Sequence, residues 1–282
     1  MTQQLAEQLG QFGIWRGERQ VTPELAASVE ELGFGALWLG SANGDLAAAE
    51  QFLAATSTLI VATGIVNMWQ YEPHQVAAAF HRVEERFAGR FVLGVGAGHP
   101  EVIQQYARPY DTLARYVDTL LDDGVPAGRL VLAALGPRVL RLAAERTAGA
   151  HPYLVTPDYT GQARKILGPG PLLAPEQKVV LDPDPAQARA IGRPRVEKPY
   201  LGLANYTANL RRLGWTDADL SGGGSDALID ALVAHGSPAQ VVARLTEHLD
   251  AGADHVSIQL LTAPDADPAG GYRELAGVIG LR

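Results

Sequence analysis

Leu59-Ile60-Val61-Ala62-Thr63-Gly64-Ile65-Val66-Asn67-Met68-Trp69 and Phe91-Val92-Leu93-Gly94-Val95-Gly96-Ala97-Gly98-His99-Pro100 decide the fold. Each opens as an apolar run, as a strand buried on both faces of a parallel sheet requires. Each then ends in glycine and uncommon polar residues. Between them, the segment from Pro73 places Val76, Phe80, Val83 and Phe87 on one stripe, with Arg82, Glu84, Glu85 and Arg86 mostly opposite. That is the pattern of an amphipathic helix. Strand, helix, strand is the repeating unit of a parallel α/β sheet, and such sheets take ligands at the carboxyl ends of their strands. Gly64, Gly96 and Gly98 fall at those ends, where glycine lets backbone approach a flat or anionic ligand.

The same punctuation recurs along the chain. An amphipathic helix, a glycine and an apolar strand follow one another at Gly33, Gly89, Gly149 and Gly252, the glycine serving as the residue after the helix where a positive φ is wanted. Thr22-Pro23 and Ser237-Pro238 pair a capping hydroxyl with a proline at the first helical position. Strands are expected near 11–15, 36–40, 59–66, 91–98, 130–136, 152–157, 174–181 and 255–261. Eight strands alternating with helices predict a single (β/α)8 TIM barrel over 1–282, with an insertion at about 182–254 between the seventh and eighth strands. The seventh strand is the weakest, because Pro175, Glu176 and Lys178 interrupt it. Ser221-Gly222-Gly223-Gly224-Ser225 reads first as a flexible turn and second as a phosphate nest.

Composition narrows the function. A formal net charge of −8 with no basic run argues against nucleic acid as a partner. The absence of cysteine excludes disulfides, thiolate metal sites and a cysteine nucleophile. No apolar run reaches membrane-spanning length and no signal segment opens the chain, so a soluble cytoplasmic protein without a membrane partner is the default. Gly94-x-Gly96-x-Gly98 lacks the third glycine spacing of a dinucleotide fingerprint. The seven histidines show no tight metal spacing, and no metal site is expected.

Several residues at the expected mouth carry more than one reading. His99 either donates a hydrogen bond to a reacting oxygen or bonds structurally at a helix entry. Trp15, Trp38 and Trp69 lie near strand ends and either wall a flat ligand or belong to core and rim. Tyr206, in Asn205-Tyr206-Thr207, marks either a lid over the pocket or a helix start.

Taken in order, Phe12-Gly13-Ile14-Trp15, Glu31-Leu32-Gly33-Phe34-Gly35-Ala36-Leu37-Trp38, Ala62-Thr63-Gly64-Ile65-Val66-Asn67, Phe91-Val92-Leu93-Gly94-Val95-Gly96, Ala133-Ala134-Leu135-Gly136-Pro137 and His151-Pro152-Tyr153-Leu154-Val155-Thr156-Pro157 resemble the luciferase-like monooxygenase superfamily. The closest likeness is to its branch dependent on the deazaflavin coenzyme F-420. The resemblance implies an oxidoreductase that passes a hydride between coenzyme F-420 and a small organic substrate, often as a homodimer. It implies a non-proline cis peptide at Gly64–Ile65 behind the deazaflavin ring. It implies coenzyme contacts from Gly40, Ser41, Gly64, Ile65, Asn67, Gly96, Ala97, Gly98, His99, Ala134, Leu135, Gly136 and Thr156, with the tail phosphate held by amides and hydroxyls. Trp15, Trp69 and Tyr206 would shape the substrate side, and His99 would be the catalytic group. Many relatives carry an acidic residue where this chain has Ser41, so a general acid at that slot is absent; Asp45 is expected to cap the next helix. An FMN-dependent monooxygenase of the same superfamily and a non-catalytic cofactor-binding relative are the alternatives. A cofactor-free isomerase or aldolase fits less well, since no strand-end lysine offers a Schiff base.

Overall fold

The computed structural model describes residues 2–98, 109–263 and 266–281. Eleven strands appear among them: β1 Phe12–Gly17, β2 Ala36–Gly40, β3 Ile60–Thr63, β4 Val66–Asn67, β5 Phe91–Gly96, β6 Leu130–Leu132, β7 Gly149–Ala150, β8 Leu172–Leu173, β9 Glu176–Val180, β10 Val233–His235 and β11 Val256–Leu260. Their order is β10-β9-β11-β1-β2-β3-β5-β6-β7-β8, with β4 paired to β5. All these pairings are parallel. The sheet curls. The run Leu172–Val180 bonds on one side to the β7 stretch, through Ala174 N to Ala150 O at 2.9 Å and Glu176 N to Pro152 O at 2.8 Å. On the other side Asp254 N and Ser257 N donate to Leu173 O and Pro175 O, both at 2.9 Å. This is an α/β fold with a curled, TIM-barrel-like parallel sheet.

Side-chain alternation splits the core in two. Ala36, Trp38, Ile60, Ala62, Val92, Val131, Leu172 and Ala174 form one cluster inside the curl, which Leu5 and Leu9 of helix Thr2–Leu9 join. Leu37, Leu39, Val61, Leu93 and Val95 face the surrounding helices. Close strand contact sets the size of the interior residues. A Cβ on Gly94 would sit 2.0 Å from Thr63 O, and the Thr63 hydroxyl donates to Gly94 O and accepts from Gly94 N, both at 2.8 Å. Any side chain at Gly94 would force the two strands apart.

The helix signals held. Thr22 caps Pro23–Glu31 by accepting from Leu25 N at 3.2 Å, and Ser237 with Gln240 makes a capping box on Pro238–Asp250. Gly33 and Gly252 have φ of 84° and 101°. Asp45 Oδ1 accepts from Ala47 N at 3.1 Å at the start of Ala47–Ala54.

Several boundaries differ from the sequence reading. The sixth strand is Gly149–Ala150, not 152–157. Thr156-Pro157 is the capped start of helix Pro157–Leu167, the same signal as at Thr22-Pro23. Gly149 belongs to this strand rather than to a helix end, because a Cβ there would meet Leu172 O at 2.0 Å. The third strand breaks at the cis Gly64–Ile65 peptide and resumes as β4. Strand β10 and helix Thr2–Leu9 were not anticipated. Between β9 and β11 lie helices Pro185–Glu197, Ala204–Arg212, Asp217–Leu220, Asp226–Leu232 and Pro238–Asp250, with a small core of Val196, Leu210, Leu228, Ile229 and Leu232. Gly222, Gly223 and Gly224 all have positive φ. Arg193 donates to the Gly223 and Gly224 carbonyls, so this turn presents oxygens to a cation and is no phosphate nest.

Three buried histidines tie the layers together in the neutral form. His255 donates from Nδ1 to Gly10 O at 2.7 Å and accepts at Nε2 from Trp38 Nε1 at 3.0 Å. His248 bridges Gln177 Oε1 and the Thr160 hydroxyl, both at 2.8 Å. His151 donates from Nδ1 to Ala174 O at 2.7 Å and stacks on Trp38 with ring centroids 4.1 Å apart. Burial lowers their pKa values from 6.5 to about 4 for His255 and His151 and about 3 for His248. The unfolded chain therefore binds protons that the native histidines refuse, and stability rises with pH across the window from about 4 to 6.5, by up to about 1.4 kcal/mol per pH unit for each histidine. Urea unfolding across this window should show that slope, and His248→Gln should reduce it; a flat profile for the parent protein contradicts the assignment.

Candidate functional site

The carboxyl ends of the strands open on a cavity of about 310 Å³. One side is small: Ser41, Ala42, Gly64, Ala97, Gly98, Ala133 and Ala134 line it, with Ile65, Asn67, Gln70 and Leu135. The other side is aromatic. Trp15 meets Tyr153 at 5.2 Å between ring centroids, Tyr153 meets Tyr200 at 5.3 Å, and Tyr200 meets Tyr206 at 5.0 Å. His151 and Asn205 complete the lining. The described lining thus carries no charged side chain, since burial keeps His151 neutral.

Of the residues expected from sequence, Trp15, Ser41, Gly64, Ile65, Asn67, Ala97, Gly98, Ala134, Leu135 and Tyr206 meet at this cavity. Gly40, Gly96, Gly136, Thr156 and Trp69 are not among its lining residues. Gly40 is covered by the Trp15 indole, whose Cη2 would lie 2.2 Å from an added Cβ. Gly96 is covered by Ala133, at 2.7 Å from such a Cβ, and by Ile65. Gly136 caps helix Pro137–Arg146. The Thr156 hydroxyl is engaged with Tyr159 N at 3.3 Å as a helix cap. Trp69 packs against the core cluster, while its backbone N donates to Asn67 Oδ1 at 3.0 Å. Tyr206 lies on helix Ala204–Arg212, so the helix-start reading of that segment holds while its tyrosine still faces the cavity. His99 lies outside the described residues.

The glycine argument needs a correction. A Cβ on Gly64 would lie 2.9 Å from both Trp15 Nε1 and His151 Nε2, and one on Gly98 would lie 2.4 Å from Asn67 Nδ2. At these rims protein side chains take the room that glycine leaves. Trp15 Nε1 and His151 Nε2 are buried with no hydrogen-bond partner, a donor and an acceptor brought to the same glycine. The cavity lies beyond this packing, with Tyr159 fixing its far rim by donating to Ala134 O and Leu135 O, both at 3.0 Å.

Sequence reasoning missed Ala42, Gln70, Ala133, His151, Tyr153 and Tyr200 in the lining. It also passed over what lies behind the aromatic wall. Lys178 Nζ is buried 3.1 Å from Glu176 Oε1 and 3.7 Å from the centre of the Tyr153 ring. The second Glu176 oxygen accepts from Leu154 N at 3.0 Å, and Tyr153 donates to Gln259 Oε1 at 2.9 Å. Burial pushes the Glu176 carboxyl up and the Lys178 ammonium down, and each is opposed by the other's charge. Opposite charges two residues apart on a strand share one face, which is the signal that could have found them. The slot left without an acid holds Ser41, in a positive-φ conformation at 53°. The nearby buried acid is Glu18, which accepts from Asn43 N at 3.1 Å and from the Asn43 amide; Tyr71 donates to Asn43 Oδ1 at 2.8 Å. Lys178→Met leaves the Glu176 carboxylate buried without its counter-charge and should cost about 3–5 kcal/mol in urea unfolding, with part of the loss recovered in the Glu176→Gln/Lys178→Met double variant. A double variant that loses the sum of the separate Glu176→Gln and Lys178→Met losses would show that the pair is not coupled.

Comparison with known proteins extends this geometry. The family described as luciferase-like monooxygenase matches residues 16–122. The 4-hydroxyprotoasukamycin monooxygenase of Streptomyces nodosus subsp. asukaensis is 32% identical over 83 residues, a match spanning 27% of this chain and 22% of that protein's length. An F-420-dependent secondary alcohol dehydrogenase, solved with an F-420–acetone adduct, superposes with a TM-score of 0.73 at 16% identity, over 96% of this chain and 98% of that one. The oxygenating constituent of 3,6-diketocamphane monooxygenase from Pseudomonas putida, solved with FMN, superposes with a TM-score of 0.66 at 14% identity, over 94% and 96% of the two chains. At these identities the two structures speak for the fold alone. The family match over residues 16–122 shows the luciferase-like monooxygenase likeness that the sequence carries, and the shared fold spans nearly the whole chain.

Proposed function

We propose that this chain is an oxidoreductase whose cavity holds coenzyme F-420 and that it passes a hydride between the coenzyme and a small organic substrate. The observation that carries the reading is the cavity: small residues and a row of aromatic rings line it together, with no charged side chain in its described lining. The small face, from Ser41 through Gly64 to Ala133 and Ala134, admits a flat tricyclic ring. The amides near Ala97, Gly98, Ala134 and Leu135 are the groups that would meet the tail phosphate, with Tyr159 holding the 134–135 backbone still. When bound, the deazaflavin would supply the carbon that accepts or gives the hydride.

The protein's part is placement and exclusion of water. Trp15, Tyr153, Tyr200 and Tyr206 form a connected aromatic wall of the cavity, against which a substrate would rest. The buried Lys178–Glu176 pair braces Tyr153 from behind. The cis Gly64–Ile65 peptide stands where the resemblance implies it. We take the sheet as a closed eight-strand barrel with an insertion between the seventh and eighth strands, and the chain as a homodimer. The FMN reading is favoured by the FMN-bound neighbour on the same fold. Titration of the purified protein with each coenzyme, followed by absorbance and fluorescence, separates the two. F-420 is expected to bind in the micromolar range or tighter and FMN at least tenfold more weakly. Binding of FMN alone overturns the F-420 assignment, and binding of neither overturns the coenzyme reading.

A further inference from the structure

A second cavity, of about 390 Å³, adjoins the first and shares Trp15 with it. Its character is opposite. Arg16, Arg195, Gln259, Thr262 and Asp267 are among its lining residues, so its described lining carries two cations against one carboxylate. Arg16 follows Trp15 on β1, and its Nε is fixed on Gln20 O at 3.2 Å, which orients the rest of the guanidinium. Arg195 lies in the last turn of helix Pro185–Glu197. On that helix Arg189 pairs with Asp226 and Asp230, and Arg193 pairs with Asp226. Among the described residues Arg195 makes no such pair, and its charge acts instead on Lys178 and Tyr200 behind the wall of the first cavity. Asp267 is already engaged, accepting from Ala269 N at 3.0 Å. Gln259 gives its carbonyl oxygen to Tyr153, which leaves the amide nitrogen as a further donor.

This chain has 31 acidic and 23 basic side chains, so carboxylates to neutralise two arginines are not scarce. Two guanidinium groups nonetheless line one polar cavity whose described carboxylate, Asp267, is bonded to the Ala269 amide. Guanidinium forks match the planar oxygens of carboxylates and phosphates. We propose that this second cavity binds the anionic group of the substrate, a carboxylate or a phosphate ester, and so selects substrates that carry one. The group would be seated between Arg16 and Arg195, and the reacting end would pass Trp15 into the first cavity. The substrate role rests on the proposed function; the anion site itself needs no coenzyme.

The test is a calorimetric titration of the coenzyme-free protein with inorganic phosphate and with glutarate, against chloride at matched ionic strength. A saturable response in the millimolar range is expected for at least one, and the one that saturates identifies the oxyanion. Arg16→Gln and Arg195→Gln should each weaken it by about tenfold, and Arg195→Lys by less, because charge is kept and the fork is lost. Repeating the titration with F-420 present should leave the affinity unchanged, since the two ligands occupy different cavities. No saturable response, a response undiminished in both glutamine variants, or competition between the anion and F-420 would overturn the proposal. If F-420 fails to bind while the anion site behaves as described, the coenzyme reading falls and the anion site stands. The converse result removes only the anion site.

Discussion

The indole of Trp15 sits where a side chain on either Gly40 or Gly64 would have to be. Everything at the mouth of the sheet is arranged around that fact. Because both glycines lack a Cβ, the ring can lie across the ends of β2 and β3 and bring its N–H to the same point as His151 Nε2. His151 is in turn held by Ala174 O and by its stack on Trp38, and Trp38 is held by His255. One continuous set of rings thus connects the interior of the sheet with the cavity floor. The same indole starts the row of rings through Tyr153, Tyr200 and Tyr206 and forms part of both cavities.

Glycine at a strand end therefore has two meanings that a sequence does not separate. The rims at Gly64, Gly96 and Gly98 read as places where a ligand approaches the backbone, and the resemblance added Gly40. In the structure the space is taken first by protein: Trp15, His151, Ala133, Ile65 and Asn67. Gly64 and Gly98 still face the cavity, whereas Gly40 and Gly96 do not line it. The distinction depends on which large side chain arrives from a neighbouring strand. That is information about pairing across the sheet, not about the strand that holds the glycine.

What was legible follows the same division. Local rules worked where the chain itself contains both partners. Thr22 with Leu25 and Ser237 with Gln240 are cap contacts three residues apart, and the apolar periods along Pro73–Arg86 bury the residues they mark. The sixth strand slipped because Gly149–Ala150 is only two residues long and is held by β6 and β8, while the longer apolar run after it enters a loop and a helix. That slip hid Tyr153, which as a strand residue had no reason to meet Tyr200 almost fifty positions later. The charges of the seventh strand looked like a defect and are an interior pair. Their partners, the Leu154 amide and the Tyr153 ring, come from another strand's loop.

The interior pair also explains how an uncharged cavity can coexist with buried ions behind its wall. Desolvation alone would neutralise Glu176 and Lys178. Their contact at 3.1 Å, the Leu154 amide and the face of Tyr153 together satisfy both, as a buried pair must be satisfied if it is not to destabilise the fold. Tyr153 then presents its apolar ring between ions and cavity, and turns its hydroxyl toward Gln259 and the polar cavity beyond. The wall has one face suited to a heterocycle and one suited to charge. Under the proposed function the hydride would cross in the uncharged slot while the substrate's charge is held in the polar cavity. A single layer of aromatic side chains, braced by a buried lysine, lies at the junction of the two cavities.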